Sequence, residues 1–120
     1  MSTVLIVDDS RTERELLGKV VSAAGHTPVF AVSGEEGLTK AKAVKPALVL
    51  MDVVMPGMDG FNACRRLKKE AETAAIPVVI ITSKGTESDL FWGRKQGADD
   101  YVVKPFAPDR IKQILKKFLP

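Results

Sequence analysis

Five short apolar runs rich in β-branched residues recur along the chain, and a segment with helical periodicity follows each one. The runs are Val4–Val7, Pro28–Val32, Ala47–Met51, Val78–Ile81 and Tyr101–Val103. Runs this short, bounded and apolar suit strands buried on both faces of a parallel sheet. After Ser10, the residues Leu16, Leu17, Val20, Val21 and Ala24 sit at helix spacing, and Gly25 supplies the stop. Ser10 with Glu13, and Ser33 with Glu36, have the spacing of capping boxes. Leu38, Ala41 and Val44 carry a second helix, and Phe61, Cys64 and Leu67 line one face of a third. A fourth runs from about Ser88 to Gln96 and stops at Gly97, and Ile111, Ile114, Leu115 and Phe118 mark the fifth. Strict strand–helix alternation demands a parallel sheet, right-handed crossovers and helices on both faces. In such a sheet the ligand crevice lies beyond the carboxyl ends of the strands, at the switch in strand order.

The chain has 120 residues, enough for one domain spanning 1–120 with a real core. Its formal net charge is only +3, too weak a balance to imply nucleic acid as a partner. One cysteine excludes an intramolecular disulfide framework, and one histidine excludes a two-histidine metal or catalytic centre. No apolar run reaches the roughly 18 residues of a membrane-spanning helix, and the N-terminus lacks the pattern of a signal peptide. The expectation is therefore a cytoplasmic protein with no membrane insertion.

Chemistry gathers at four strand ends. The first strand ends in Asp8-Asp9, the third in Asp52, the fourth in Thr82-Ser83 and the fifth in Lys104-Pro105. One such Asp is ordinary turn chemistry, but matched groups at four ends are not. Three crowded carboxylates need a counter-charge to stay ionised. Lys104 supplies one positive charge, and a hard divalent cation such as Mg²⁺ would supply two. An acid cluster beside a lysine and a hydroxyl fits Mg²⁺-assisted phosphoryl transfer, with a carboxylate as nucleophile.

The stretches VLIVDDS at 4–10, LVLMDVVMPGMDG at 48–60, VVIITS at 78–83 and GADDYVVKPF at 97–106 resemble the response-regulator receiver domains of the CheY type. The likeness covers the whole chain. It implies a flavodoxin-like (βα)5 three-layer α/β sandwich with sheet order 2-1-3-4-5. It also implies that Asp52 accepts a phosphoryl group from a phosphohistidine on a sensor kinase of the CheA kind. Asp9 would ligate Mg²⁺ directly and Asp8 largely through water, with Asp52 and the backbone carbonyl of Val54 completing the protein ligands. Lys104, joined to Pro105 by a cis bond, would pair with the phosphoryl group. Thr82 would swing toward it and Tyr101 would follow inward. That motion would bias a surface formed by the fourth helix, fifth strand and fifth helix toward a protein target. The chain would catalyse only its own phosphorylation and dephosphorylation. A monomer is expected, with a phosphorylation-dependent dimer left open. The WGRKQGA stretch at 92–98 is similar to the single-domain PilH group of twitching-motility regulators, which points to motility or chemotaxis-type signalling.

Several residues fall outside that core. Leu90, Phe91 and Trp92 are consecutive on the fourth helix, so they cannot all face inward, and Trp92 is expected outside as part of the partner face with Leu90 and Tyr101. Gly93 in mid-helix suggests close packing against the sheet. Val54 offers no polar group to position water, so slow loss of the phosphoryl group is expected. His26 belongs to a turn far from the crevice, Cys64 to the core, and the basic residues of the third and fifth helices to solvated faces. A flavodoxin-like electron carrier would need a phosphate cradle where Asp8-Asp9 stands. A dehalogenase-type phosphatase would need a D-x-D-x-T motif that the chain lacks.

Overall fold

A computed structural model describes all 120 residues. The elements run β1 (Thr3–Val7), α1 (Arg11–Ala23), β2 (Thr27–Ala31), α2 (Gly34–Val44), β3 (Leu48–Met51), α3 (Gly60–Lys69), β4 (Val78–Thr82), α4 (Glu87–Lys95), β5 (Asp100–Val103) and α5 (Pro108–Phe118). All four strand pairings are parallel, in the order β2-β1-β3-β4-β5. This is the expected flavodoxin-like α/β arrangement, and every strand boundary lies within a residue of its expected place.

Alternation along the strands splits the core into two layers. Val4, Ile6, Leu48, Leu50, Val79 and Ile81 face α1 and α5, packing with Leu17, Val21, Ile111 and Ile114. Leu5, Val7, Val49, Met51 and Val78 face the other way, against Ala41, Ala63, Cys64 and Leu67. Successive strand residues point to opposite faces, so an apolar run with no polar interruption buries both faces. That is why β1, β3 and β4 had no amphipathic signature. A smaller cluster of Val53, Phe61 and Ile80 ties β4 to α3 and reaches Ala98 and Tyr101.

Two sequence-based expectations change. Leu16, Ala24 and Val44 are exposed and take no part in the core; only Leu17, Val20 and Val21 of the first set are buried. The capping boxes at Ser10 and Ser33 are half-formed. Each serine hydroxyl accepts the N–H three residues on, but Glu36 accepts from Val32 N–H instead of from the cap. The one complete box belongs to Thr86 and Asp89 at the start of α4.

Candidate functional site

Four loops, with β4 contributing Ser83, converge from the carboxyl ends of β1, β3, β4 and β5 on one crevice. It is lined by Asp8, Asp9, Ser10, Glu13, Asp52 and Lys104, with Leu16, Val54 and Phe106 as apolar members of its wall. Asp8 and Asp52 are buried, Asp9 is exposed, and carboxylate oxygens of all three lie within 4.8 Å of one another. The register explains the convergence. Val7 on β1 pairs with Met51 on β3, so the residues that follow both strands emerge side by side. The Asp52 N–H then donates to the Val7 carbonyl at 2.9 Å, which carries the ladder into the site.

Lys104 Nζ donates to Asp8 Oδ2 at 3.1 Å and stands 3.6 Å from both Asp52 Oδ2 and Glu13 Oε2. The Lys104–Pro105 bond is cis, as expected. Asp52 is further fixed by Val53 N–H, which donates to Oδ1 at 2.8 Å. Asp8 Oδ1 accepts the Ser10 N–H, and the Asp8 carbonyl accepts from Arg14 Nη1, both at 2.9 Å. Arg14 is a supporting residue that no sequence pattern signalled.

Burial raises the Asp52 carboxyl above its ordinary value, and the nearby Asp8 charge adds to this. Lys104, the Val53 N–H and the Thr82 hydroxyl draw it back only in part. Burial disfavours the Lys104 ammonium, but Asp52 and Asp8, with a smaller share from Glu13, overcome it and hold the pKa above the usual lysine value. The crevice is therefore acidic, crowded and short of positive charge. Its donor set is all oxygen, which fits a small hard cation and excludes a soft one.

Thr82 is fully buried at the end of β4, and its Oγ1 accepts the Lys84 N–H at 3.4 Å. The Tyr101 ring lies over Gly93 of α4, and its hydroxyl donates to the Lys84 carbonyl at 2.6 Å. A Cβ on Gly93 would come within 2.8 Å of Tyr101 Cε2, so the missing side chain is what lets α4 approach β5. The expected Thr82–Tyr101 pair is thus bridged by one residue of the β4–α4 loop.

The sequence matches the family described as "Response regulator receiver domain" over residues 4–116. This chain belongs to the response-regulator receiver family. Among curated relatives it is similar to the protein PilH of Pseudomonas aeruginosa, 45% identical over 119 residues, covering 99% of this chain and 98% of that protein. It is 40% identical over 116 residues to a probable transcriptional regulator, ycf27, of Cyanophora paradoxa, of which it spans only 47%. Among solved structures it is similar to the chemotaxis protein CheY4 of Vibrio cholerae, with a TM-score of 0.93, 29% identity and 99% of both chains covered. A putative response regulator of Chloroflexus aurantiacus gives a TM-score of 0.92 at 36% identity, covering 98% of this chain and 96% of that one.

Receiver domains bind Mg²⁺ at an acidic pocket, and this chain has a cluster of three carboxylates, Asp8, Asp9 and Asp52, at the carboxyl edge of its sheet. No helix is long and apolar enough to cross a membrane. The α4 face is more apolar than expected, because Phe91 is 62% exposed and Trp92 52%, while Leu90 is half-buried. Phe91 was missed because periodicity alone does not say which of two adjacent residues turns inward; here neither does. His26 sits at the opposite pole, where its Nδ1 accepts Ser2 N–H at 3.1 Å. Cys64 is buried, its Sγ contacts the Gln96 carbonyl at 3.6 Å, and burial pushes the thiol up to about 12, which leaves it inert.

Proposed function

We propose that the receiver formed by residues 1–120 works as a response regulator of the single-domain type, as the near-full-length match to PilH supports, with Asp52 as its phosphoacceptor. The observation that carries the reading is the convergence of Asp52, Asp8, Asp9 and Lys104 in one crevice, with Thr82 buried at the neighbouring strand end. A carboxylate oxygen of Asp52 forms the new O–P bond, and the P–N bond of a kinase phosphohistidine breaks. Val53 N–H holds the Asp52 carboxylate in a fixed rotation. Lys104 moves from its carboxylate neighbours to the transferred group, and Thr82 donates its hydroxyl to a phosphoryl oxygen. Asp8, Asp9, Asp52 and the Val54 carbonyl would hold Mg²⁺, which would supply positive charge to neutralise the transferring group.

The switch follows from the Thr82–Lys84–Tyr101 connection. A shift of Thr82 toward the phosphoryl group pulls the β4–α4 loop, and Tyr101 travels with it. The α4–β5–α5 face bearing Leu90, Trp92 and Tyr101 is then read by a protein target. Likeness to PilH and to the chemotaxis protein CheY4 supports a role in motility or chemotaxis-type signalling; a CheA-like sensor histidine kinase is the proposed donor and the cytoplasm the proposed location. Apart from transferring and hydrolysing its own phosphoryl group, the protein has no catalytic turnover.

Intact mass after incubation with acetyl phosphate tests the assignment. One phosphoryl adduct is expected, lost on Mg²⁺ removal and absent in Asp52→Ala. An adduct that survives Asp52→Ala defeats it. Because the Val54 side chain is apolar and exposed at the crevice wall, hydrolysis of the adduct is expected to be slow. A half-life of only a few seconds in the isolated protein contradicts that.

A further inference from the structure

The first turn of α1 holds a carboxylate that this mechanism does not use. Glu13 stands three residues after the helix cap Ser10, where an acid ordinarily folds back onto the cap N–H. That donor is already taken, since Asp8 Oδ1 accepts the Ser10 N–H at 2.9 Å. Glu13 instead extends into the crevice and brings Oε2 to 3.6 Å from Lys104 Nζ, the same separation as Lys104 from Asp52. Lys104 is 15% exposed at its side chain and Glu13 34%, so the contact is partly shielded from water.

One ammonium is therefore shared among Asp8, Asp52 and Glu13, and the crevice carries four carboxylates once Asp9 is counted. Two consequences follow from Coulomb's law. Glu13 competes with an incoming phosphoryl group for Lys104, and it repels that group directly. It also adds one negative charge to the environment of a divalent cation.

We propose that Glu13 is a positioning residue of the phosphorylation site: it holds Lys104 back and sets a threshold against dianionic phosphodonors while favouring the divalent cation. This rests on Asp52 being the phosphoacceptor. A merely structural role at the start of a helix, where acids favour the dipole, alters melting temperature but neither donor discrimination nor cation affinity.

The test compares wild type with Glu13→Gln and Glu13→Asp, and Asp52→Ala serves as the blank. Adduct formation is followed by intact mass against acetyl phosphate concentration at saturating Mg²⁺. The series is repeated with phosphoramidate, which carries one negative charge fewer. Mg²⁺ affinity is measured separately by calorimetry without any phosphodonor. Glu13→Gln is expected to lower KM for acetyl phosphate and to weaken Mg²⁺ binding, each by roughly three- to fivefold, the size of a partly exposed charge interaction. Its gain with phosphoramidate is expected to be smaller. Glu13→Asp, one methylene shorter, falls between the two. Unchanged Mg²⁺ affinity in Glu13→Gln overturns the proposal, and so does an equal gain on both donors. If wild type takes up no phosphoryl group at all, the Asp52 assignment fails, and the Mg²⁺ titration alone still decides the place of Glu13.

Discussion

Asp52 is held where its own charge is disfavoured. Burial and the Asp8 carboxylate raise its pKa above the ordinary 3.8, and Lys104 offsets this only in part. A raised carboxyl pKa contributes stability that is complete below the unfolded value and is lost as pH rises through the folded one. At neutral pH without Mg²⁺, ionised Asp52 is thus a liability. Asp52→Asn is expected to melt at a higher temperature than wild type at pH 7, with the gap closing as pH approaches 3.8 or below; a gap that widens in acid contradicts this. Lys104 has the opposite character, because its removal leaves Asp8 and Asp52 buried without a counter-charge. Lys104→Met is expected to cost about 3–5 kcal/mol in chemical denaturation at neutral pH, and Mg²⁺ to restore part of the loss. The identity of these residues was legible in the sequence, because carboxylates and a lysine at successive strand ends have few other uses. Their pairing was not. Glu13 has the spacing of a capping residue, and only the position of Asp8, which takes the cap N–H, turns it toward Lys104.

Among the elements, α4 is the least anchored. Gly93 is its only buried residue, whereas α3 buries five and α1 four. Elements with little buried apolar contact open at low free energy. Amide hydrogen exchange is expected to be fastest in α4 among the five helices, and equal protection of α4 and α3 would contradict that. A loosely held α4 bounded by a complete capping box can move as a unit, which suits a switching face. The start of α3 is the reverse case. A Cβ on Gly60 would lie 1.9 Å from the Asp52 carbonyl oxygen, which is backbone and cannot yield. Gly60→Ala is expected to displace the β3–α3 loop, destabilise the fold by more than about 2 kcal/mol and abolish Mg²⁺ binding. A variant that still binds Mg²⁺ like wild type rules out so tight a contact. Element type and order were legible from periodicity; which helix is poorly anchored was not, because α4 carries Leu90, Phe91 and Trp92 in a row, and only the packing shows that Phe91 and Trp92 both lie outside.

At the scale of the whole molecule, two apolar layers hold the sheet and leave its carboxyl edge to charged groups. Ile114 is fully buried in the layer under α1 and α5. Ile114→Ala is expected to cost about 2–5 kcal/mol through lost burial and a residual cavity, with phosphorylation chemistry retained in the folded fraction. The sequence by itself determined the alternation, the sheet order that follows from the family likeness, the acid–lysine chemistry and the family. These are carried by local patterns: apolar period, turn residues, and reactive groups just after strands. Tertiary structure alone decided how those groups meet. Lys104 and Asp8 are 96 positions apart and become hydrogen-bond partners only through parallel strand register. Leu16 looked like core and became part of the crevice wall, and Phe91 joined Trp92 in solvent. Periodicity says that a helix has an apolar side, but only the surface packed against it fixes which residues that side contains.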